Sequence, residues 1–321
     1  MSTANRHTLF LDDAVSDDER ELVVAKPAPS ISHPLTNHTL KRRRVIGQET
    51  QPVISSSSSS SSSSSIRTRF PVKRTNHSND NKVSLVPALT GSPWNHYERR
   101  YGVKYSQSFG IITSRDASCQ SFMIRTISGR DAEERIQTIR QLRHPSLTEN
   151  VEIYACSDPS YFVISEFMPT SLLHVCRSPI YPNEPQLSSV LYQVLTGLEF
   201  LLSCGLVYEQ LSCVNVLVNF AGEVKISDIE NCRRSGDITA LSTSFSRMTM
   251  KLMDKERAET ASFGLTHPDK WSDEAIDMFT SITTTPDIQK LLAHAFLLKK
   301  NQEELLWLIP FVLISASYDR D

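Results

Sequence analysis

The chain has 321 residues, a formal net charge of −2 at pH 7 and a hydrophobic content of 39%. Such a length suffices for a folded domain with a substantial core. The nearly balanced charge argues against a dedicated nucleic-acid-binding protein. The six cysteines show neither a CxxC pair nor metal-ligand spacing, so a disulfide framework and a zinc site are not indicated and a reducing compartment is expected.

The first 94 residues differ in composition from the rest of the chain. They contain few aromatic side chains and an uninterrupted serine run over residues 55–65. No apolar periodicity accompanies this composition, which predicts a disordered, low-complexity arm over residues 1–94. The basic cluster Lys41-Arg-Arg-Arg44 has two interpretations, a nuclear-import or anionic-surface signal and ordinary charge that keeps a tail solvated. Both remain open.

Three apolar patterns in the middle of the chain predict regular elements. Residues 121–127 alternate like a β-strand. Residues 130–143 carry apolar side chains at helical spacing and end in His144-Pro145, which predicts a helix followed by a turn. Residues 187–202 place apolar side chains on one face. They predict a second helix, in which Gly197 allows close packing.

A hairpin pattern follows and is the most informative part of the sequence. Val216-Leu-Val218 and Val224-Lys-Ile226 are β-prone runs joined by Asn219-Phe-Ala-Gly222, and this pattern predicts a hairpin. Such a hairpin would hold Asn215 and Asp228 close together at its ends. In phosphoryl transfer, an Asn and an Asp so placed hold the Mg²⁺ ions that bridge the nucleotide phosphates. Here the sequence resembles the protein kinase family.

The resemblance extends to the catalytic loop, whose family pattern is H-R-D-L-x-x-x-x-N. The matching stretch runs from Tyr208 to Asn215 and keeps the metal-ligand Asn. Gln210 stands where the family has the Asp that accepts the substrate hydroxyl proton. A neutral amide has no useful basicity at pH 7, so general-base assistance is lost. Asp228-Ile-Glu230 stands for the family's Asp-Phe-Gly, so the resemblance implies Asn215 and Asp228 as metal ligands and Gln210 as an inactive catalytic position.

The ion pair that positions the nucleotide phosphates in the family is also altered. The strand over residues 121–127 resembles the family's Val-Ala-Ile-Lys strand, with Arg125 at the phosphate-pairing Lys. Arg is cationic, but its broad planar fork does not replace a compact ammonium in a tight pocket. Counting back from His144 puts Arg135 at the position of the partner Glu. Two arginines would then face each other and repel, unless a shifted register brings in Glu134.

Two further motifs of the family occur in altered form. In the best alignment, the phosphate-covering loop matches residues 105–112 and keeps only Gly110 of three glycines, which handicaps close approach to a polyphosphate. At the hinge, the resemblance implies Ser165 as a small gatekeeper and the backbone from Glu166 to Met168 as the adenine-facing part. The nucleotide-binding candidates are therefore Gly110, Arg125, Glu166 and Met168.

A missing segment is the second large departure from the family. Residues 236–253 resemble the family's αF helix, with Asp237 as the residue that braces the catalytic loop, and residues 291–297 resemble its closing motif. Only the eight residues 229–236 separate Asp228 from Asp237. In active kinases this interval holds the activation loop, the peptide-docking loop and the Ala-Pro-Glu motif. The resemblance therefore implies that no site for a substrate peptide is left.

The C-terminal stretch over residues 305–316 is strongly apolar. It is too short to span a bilayer and contains Pro310. Packing against the helical lobe is the favoured interpretation, and a partner-binding patch is the alternative. Residues 1–12 lack an apolar core of signal-peptide length, so we expect an intracellular protein, cytoplasmic or nuclear, without a membrane span.

Together these features predict an α+β, two-lobed protein-kinase-like fold. The predicted parts are the arm over residues 1–94, the kinase-like domain over residues 95–300 and an apolar extension over residues 301–321. We expect a catalytically impaired pseudokinase that acts on protein partners as a scaffold or allosteric regulator, with residual binding of ATP and Mg²⁺ open. The alternatives are an atypical serine/threonine kinase and a nuclear adaptor that acts through its arm. Whether the chain is an enzyme stays undecided at this point.

Overall fold

The computed structural model describes residues 85–156, 160–257, 262–285 and 287–318. All of them belong to one unit, Lys82–Asp321. The serine run and the basic cluster of the predicted arm lie outside the described residues. None of the described helices is both long enough and apolar enough to cross a membrane.

The first lobe is a six-stranded sheet with the spatial order β1-β5-β6-β4-β3-β2. All neighbouring strands are antiparallel except β1 and β5, which run parallel. One helix, α1 (Ala132–Gln141), packs against strands β4 and β6 of this sheet through Ile136 and Ile139. The strands are β1 (Ala88–Thr90), β2 (Tyr97–Lys104), β3 (Ser108–Ser114), β4 (Ser121–Ser128), β5 (Asn150–Ala155) and β6 (Ser160–Glu166).

Strand β1 departs from the sequence-based boundary, which assigned residues 85–94 to the arm. Its three residues pair with Ile153, Tyr154 and Ala155 of β5. Just before it, the Arg140 Nε donates to the Val86 carbonyl at 3.0 Å. Three residues are too few to show the alternation by which a strand is recognised. The pairing of β1 with β5 is what makes this segment part of the domain.

The second lobe is helical, with a three-stranded sheet of order β7-β8-β9 at the junction with the first lobe. The predicted hairpin is present, with Val216 paired to Ile226. A Cβ on Gly197 would lie 3.1 Å from the backbone of Ser146, so the predicted close packing of α3 is also present. The elements are β7 (Thr170–Ser171), α2 (Leu172–Arg177), α3 (Glu184–Ser203), β8 (Val216–Val218), β9 (Val224–Ile226), α4 (Ile238–Met253), α5 (Asp273–Thr284), α6 (Ile288–Leu292) and α7 (Leu305–Tyr318).

Helix α7 buries one side of the apolar C-terminal stretch. Leu305, Leu308, Ile309 and Val312 are buried in the main core of the domain, and the helix contacts α2. The opposite side, with Leu306, Trp307 and Ile314, is exposed. The favoured interpretation, packing against the helical lobe, therefore holds for one face of the helix.

The short connection between β9 and α4 is tied to the catalytic loop. It starts with a 3₁₀ helix, Ile229–Asn231, and continues as a β-bridge between Arg233 and Val207. A Cβ on Gly236 would lie 2.6 Å from the Cβ of Val207, closer than such atoms approach in proteins, so only glycine fits there. The connection therefore lies directly against the loop that precedes β8.

Candidate functional site

The β8–β9 hairpin brings the two predicted metal-ligand positions together. The Asn215 carbonyl accepts the Ser227 N–H at 2.8 Å, which places Asn215 beside the start of the Asp228 segment. Both residues are at least 95% buried. The Asn215 amide is used inside its own loop, since its Oδ1 accepts the Ser212 N–H at 2.8 Å and its Nδ2 donates to the Gln210 carbonyl at 2.9 Å.

Asp228 is bound by the turn between β2 and β3, which was predicted to cover the phosphates. The Ser106 hydroxyl donates to one carboxylate oxygen of Asp228. The Gln107 Nε2 donates to the other oxygen at 2.5 Å and to Glu230 Oε1 at 3.2 Å. Asp228 has φ 56° and ψ 33°, a left-handed conformation that is uncommon outside glycine and marks a constrained position. Both oxygens of the predicted metal ligand are therefore occupied by side chains of the same chain.

Arg125 forms a buried, two-pronged ion pair with Glu230. Its Nε donates to Glu230 Oε1 and its Nη2 to Glu230 Oε2, both at 3.1 Å. The side chains are 3% and 0% exposed, and the Arg125 Nη2 also donates to the Asn150 amide oxygen at 3.3 Å. Parallel N–H···O bonds between a guanidinium and a carboxylate are among the strongest polar contacts in proteins. Arg125 is thus already neutralised within the fold.

The expectation that Arg125 would face Arg135 without an acidic partner is wrong. Arg135 turns towards the 3₁₀ helix, where its Nη2 donates to the Asn231 Oδ1 at 3.1 Å, while its buried Nε has no partner among the described residues. The shifted register does not restore the family's pair either, because Glu134 is exposed. The acid comes instead from Glu230, the position at which the family has glycine.

The pKa values follow from this burial and pairing. Burial raises the pKa of Asp228, and the neighbouring Glu230 carboxylate raises it further, against the attraction of Arg125. For Glu230, burial acts in the same direction, but the attraction and the hydrogen bonds of Arg125 outweigh it and leave the pKa lowered. The two acids differ because only Glu230 faces the guanidinium directly.

Tyr105 contacts the hinge at the residue predicted to face adenine. Its hydroxyl donates to the Met168 carbonyl at 3.1 Å, and burial raises the pKa of Tyr105, which keeps that hydroxyl protonated. The Met168 N–H points to the Met123 sulfur at 3.4 Å. Both backbone polar groups of the hinge residue predicted to face adenine are therefore used inside the protein. The core cluster around them contains Phe109, Ile111, Met123, Met168 and Leu217.

Two predicted nucleotide-binding residues have structural roles in this arrangement. The Glu166 carboxylate accepts both the Lys225 Nζ at 2.8 Å and the Glu149 N–H at 2.7 Å, and so connects the hinge strand to β9. Gly110 lies in β3, where a Cβ would come within 2.8 Å of the Ile124 side chain. Packing between β3 and β4 therefore explains this glycine without a phosphate.

Gln210 is exposed at the catalytic position. The residue beside it makes the connection to α4, since Glu209 Oε1 accepts the Asp237 N–H at 2.7 Å and the Glu209 carbonyl accepts the Ser244 hydroxyl at 2.5 Å. The Asp237 side chain accepts the Thr239 N–H at 2.8 Å and so caps α4, and its predicted bracing role stays a prediction. Gln210 itself contributes a carbonyl to Asn215 and no ionisable group.

Sequence reasoning missed four residues of this site, and in each case the reason is physical. In the family pattern Glu230 replaces a glycine, and an extra acid together with an altered base at one site is a signal for a new ion pair. Tyr105, Ser106 and Gln107 contact residues that lie far along the chain, with Gln107 and Asp228 separated by 121 positions. No periodicity reports such contacts.

A β-sheet lobe, a helical lobe and an Asn–Asp hairpin at their junction define a domain of the protein kinase type. The family model "Protein tyrosine and serine/threonine kinase" matches residues 123–276. The chain belongs to the protein kinase superfamily.

Curated relatives match only part of this chain and of their own length. A serine/threonine-protein kinase, SSN3 of Pyricularia oryzae, is 31% identical over 94 residues, which is 28% of this chain and 19% of that protein. The serine/threonine-protein kinase max-2 of Caenorhabditis elegans is 29% identical over 97 residues, 30% of this chain and 15% of its own. Mitogen-activated protein kinase 5 of Oryza sativa subsp. indica is 28% identical over 114 residues, with shares of 33% and 31%. The chain thus spans under a third of each of these relatives.

Protein kinases bind ATP with Mg²⁺, so the fit of these residues to that ligand can be tested. The Asp228 oxygens are bonded to Ser106 and Gln107, and the Asn215 amide is bonded within its loop. The Met168 carbonyl is bonded to Tyr105. In this arrangement the site does not fit a metal-bound nucleotide.

Proposed function

We propose that this domain is a pseudokinase, which acts on protein partners as a scaffold or allosteric regulator and does not transfer phosphate. The observation that carries the proposal is the closure of the nucleotide site by Tyr105, Ser106 and Gln107, which use the polar atoms of Met168 and Asp228. A nucleotide would have to displace all three side chains before it reached those atoms.

The charges in the site also disfavour a polyphosphate. Arg125 is the cation at the phosphate-pairing position, and Glu230 already neutralises it. Freeing the guanidinium would leave a buried carboxylate unpaired, and breaking a buried ion pair costs about 3 to 5 kcal/mol. With Asp228 nearby, incoming phosphates would face negative charge. Nucleotide binding would thus start from a large unfavourable contribution.

Two further features oppose phosphate transfer to a protein. Gln210 offers no base at the catalytic position. The connection over residues 229–236 is short and is bonded to the catalytic loop, which leaves no segment to hold a substrate peptide. Positioning of the reactants is most of what a kinase contributes to this reaction. The described residues contain neither a base at the catalytic position nor a segment that holds a substrate peptide.

The proposal is tested by thermal unfolding of the full chain with ATP, with and without Mg²⁺. A ligand at 100 times its Kd stabilises the native state by about 2.7 kcal/mol, so a millimolar nucleotide gives a clear rise in Tm if it binds with micromolar affinity. We expect no rise. A Tm increase that needs Mg²⁺ and disappears in the Asp228→Asn variant would contradict the closed site.

The same assay separates the pseudokinase from the atypical kinase, the alternative that the surviving Asn215 and Asp228 favour. If the wild type binds nucleotide, incubation with labelled ATP and a panel of generic protein substrates measures phosphate transfer. Transfer abolished by Asp228→Asn would establish the alternative.

A variant with Tyr105→Ala, Ser106→Gly and Gln107→Gly tests whether the closed site is what prevents nucleotide binding. Removal of the three side chains should allow nucleotide binding if closure alone prevents it. The adaptor hypothesis concerns residues outside the described ones and stays a prediction.

A further inference from the structure

A groove of about 540 Å³ lies in the helical lobe, away from the candidate nucleotide site. It is bordered by the second half of α3, by the turn at His144, and by the first residues of α4 and α6. None of Tyr105, Arg125 or Asp228 lines it. Binding pockets in proteins have volumes of about 300 to 1,000 Å³, so the groove is large enough for a ligand.

The first residue of α4 lies at this groove. Helix α4 begins at Ile238, directly after the residues bonded to the catalytic loop, and the Ile238 side chain is 48% exposed at the groove. Phe200 and Leu202 of α3 and Ile288 of α6 provide the facing apolar surface. An exposed apolar side chain that borders a concave surface is a feature of binding sites.

The groove also contains a carboxylate whose charge is not compensated. Glu199 is half-buried at its edge and forms no hydrogen bond or ion pair with any described residue. The other acid at the groove, Asp287, caps α6 through the N–H groups of Gln289 and Lys290 and pairs with the Lys290 ammonium at 3.4 Å. Glu199 is therefore the acid that a ligand can neutralise.

His144 adds a flat, uncharged surface beside Glu199. Its ring stacks on Phe200 with centroids 4.7 Å apart and an interplanar angle of 17°. Its Nδ1 accepts the Ser146 N–H at 3.1 Å. Burial lowers the pKa of His144, so the ring is neutral at pH 7. The groove thus combines one anionic group, stacked aromatic rings and aliphatic side chains.

We propose that this groove binds an arginine-containing linear segment of a partner protein. The guanidinium pairs with Glu199 and lies against the His144 and Phe200 rings, while apolar side chains next to the arginine pack on Ile238 and Ile288. Arginine fits better than lysine because its planar group both pairs with carboxylates and stacks on aromatic faces. The inference rests on the proposed function, because a domain that acts by binding protein partners needs an exposed surface for them.

The test uses the full chain with ¹³C-labelled isoleucine methyl groups, observed by NMR. The probe is the capped peptide Gly-Leu-Arg-Leu-Gly, and the matched peptide has Glu in place of Arg. Ile238 and Ile288 report on the groove, and Ile111 reports on the hinge cluster. We expect the Arg peptide to shift the Ile238 and Ile288 signals. The Glu peptide should bind about fivefold more weakly in a titration followed by these signals, the order expected for a partly exposed ion pair.

Matched variants test whether the peptide contacts Glu199 and Ile238. Glu199→Gln should weaken the Arg peptide about fivefold, and Ile238→Ser should weaken it by a similar factor because the apolar contact is lost. Glu303→Gln, at an exposed acid that does not line the groove, should leave the affinity unchanged. Ile238 and Glu199 are not in the core, so these variants are expected to fold.

Each of four results would overturn the inference. They are the absence of any shift, shifts confined to other methyl groups, equal effects of the Arg and Glu peptides, and an affinity unaffected by Glu199→Gln. If the capped single amino acid N-acetyl-arginine amide binds as tightly as the peptide, the groove takes a small cation and the peptide assignment is wrong. Addition of Mg²⁺ and ATP to the same sample tests the closed nucleotide site separately from the groove. A shift of the Ile111 signal would contradict the closed site and would have no bearing on peptide binding at the groove.

Discussion

The nucleotide site and the groove at Glu199 use their polar groups in opposite ways. At the nucleotide site Arg125, Glu230 and Asp228 all have internal partners, from the Arg125–Glu230 pair to the Asp228 carboxylate bound by the β2–β3 turn. At the groove, Glu199 has none among the described residues. A site that satisfies itself needs no ligand, whereas an uncompensated charge beside apolar side chains is favourable only when something binds. The comparison therefore favours the helical lobe as the binding surface in the proposed function.

The largest expected effect comes from breaking the internal pair. Glu230→Gln should lower the free energy of unfolding by about 3 kcal/mol, because Arg125 keeps its buried charge without a full counter-charge. Arg125→Met should cost a similar amount, since it leaves two buried carboxylates side by side. Urea unfolding at pH 7 measures both, and unchanged m-values show that the native state keeps its compactness.

A double-mutant cycle then tests whether the two residues act as a pair. Arg125→Met combined with Glu230→Gln should cost at least about 1 kcal/mol less than the sum of the single variants, because each single change strands the other charge. If the decreases in the free energy of unfolding of the two single variants simply add, Arg125 and Glu230 do not stabilise the site as a pair. The contrast between the nucleotide site and the groove would then be wrong.

The pair also illustrates what the sequence allows one to predict. The hairpin that holds Asn215 and Asp228 follows from local β propensity and a turn glycine, so it could be predicted from neighbouring residues alone. The partner of Arg125 could not, since Glu230 lies 105 positions away and the family has no acid at that position. Contacts set by the packing of distant segments leave no periodic signal.

The same distinction explains the arm boundary and the groove. The three residues of β1, between Pro87 and Gly91, show no pattern in the sequence, and only their pairing with β5 identifies them as a strand. The groove depends on the mutual positions of α3, α4 and α6. From sequence, Glu199 is one more charge on an amphipathic helix, and it becomes a candidate only when its lack of a partner is seen.

A smaller effect is expected at Tyr105, whose hydroxyl is bonded to the hinge. Tyr105→Phe removes the hydrogen bond to the Met168 carbonyl and keeps the ring, so it should lower the free energy of unfolding by about 1 kcal/mol. Tyr101→Phe is the matched control, because Tyr101 is exposed and its substitution should change stability by less than about 0.5 kcal/mol. Equal effects of the two variants in urea unfolding would show that the Tyr105 hydroxyl does not hold the hinge.

The smallest expected effect concerns the groove and depends on pH. Burial lowers the pKa of His144 from its usual value of 6.5, so the imidazole gains a proton only below that pH. Its positive charge then competes with the arginine of the peptide for Glu199. Glu199 on α3 and Asp287 at the start of α6 are the charged groups that line the groove with it. The affinity of the Arg peptide should therefore be constant from pH 8 to pH 6.5 and fall below that range.

The variant His144→Asn tests whether protonation of His144 causes this decrease. An Asn side-chain oxygen can accept the Ser146 N–H as the His144 Nδ1 does, but the side chain carries no ionisable group. Peptide titrations followed by the Ile238 methyl signal should then lose the decrease that begins below pH 6.5. If both proteins give the same pH profile, His144 does not face the bound cation, and the guanidinium must lie on the side of Glu199 away from the ring.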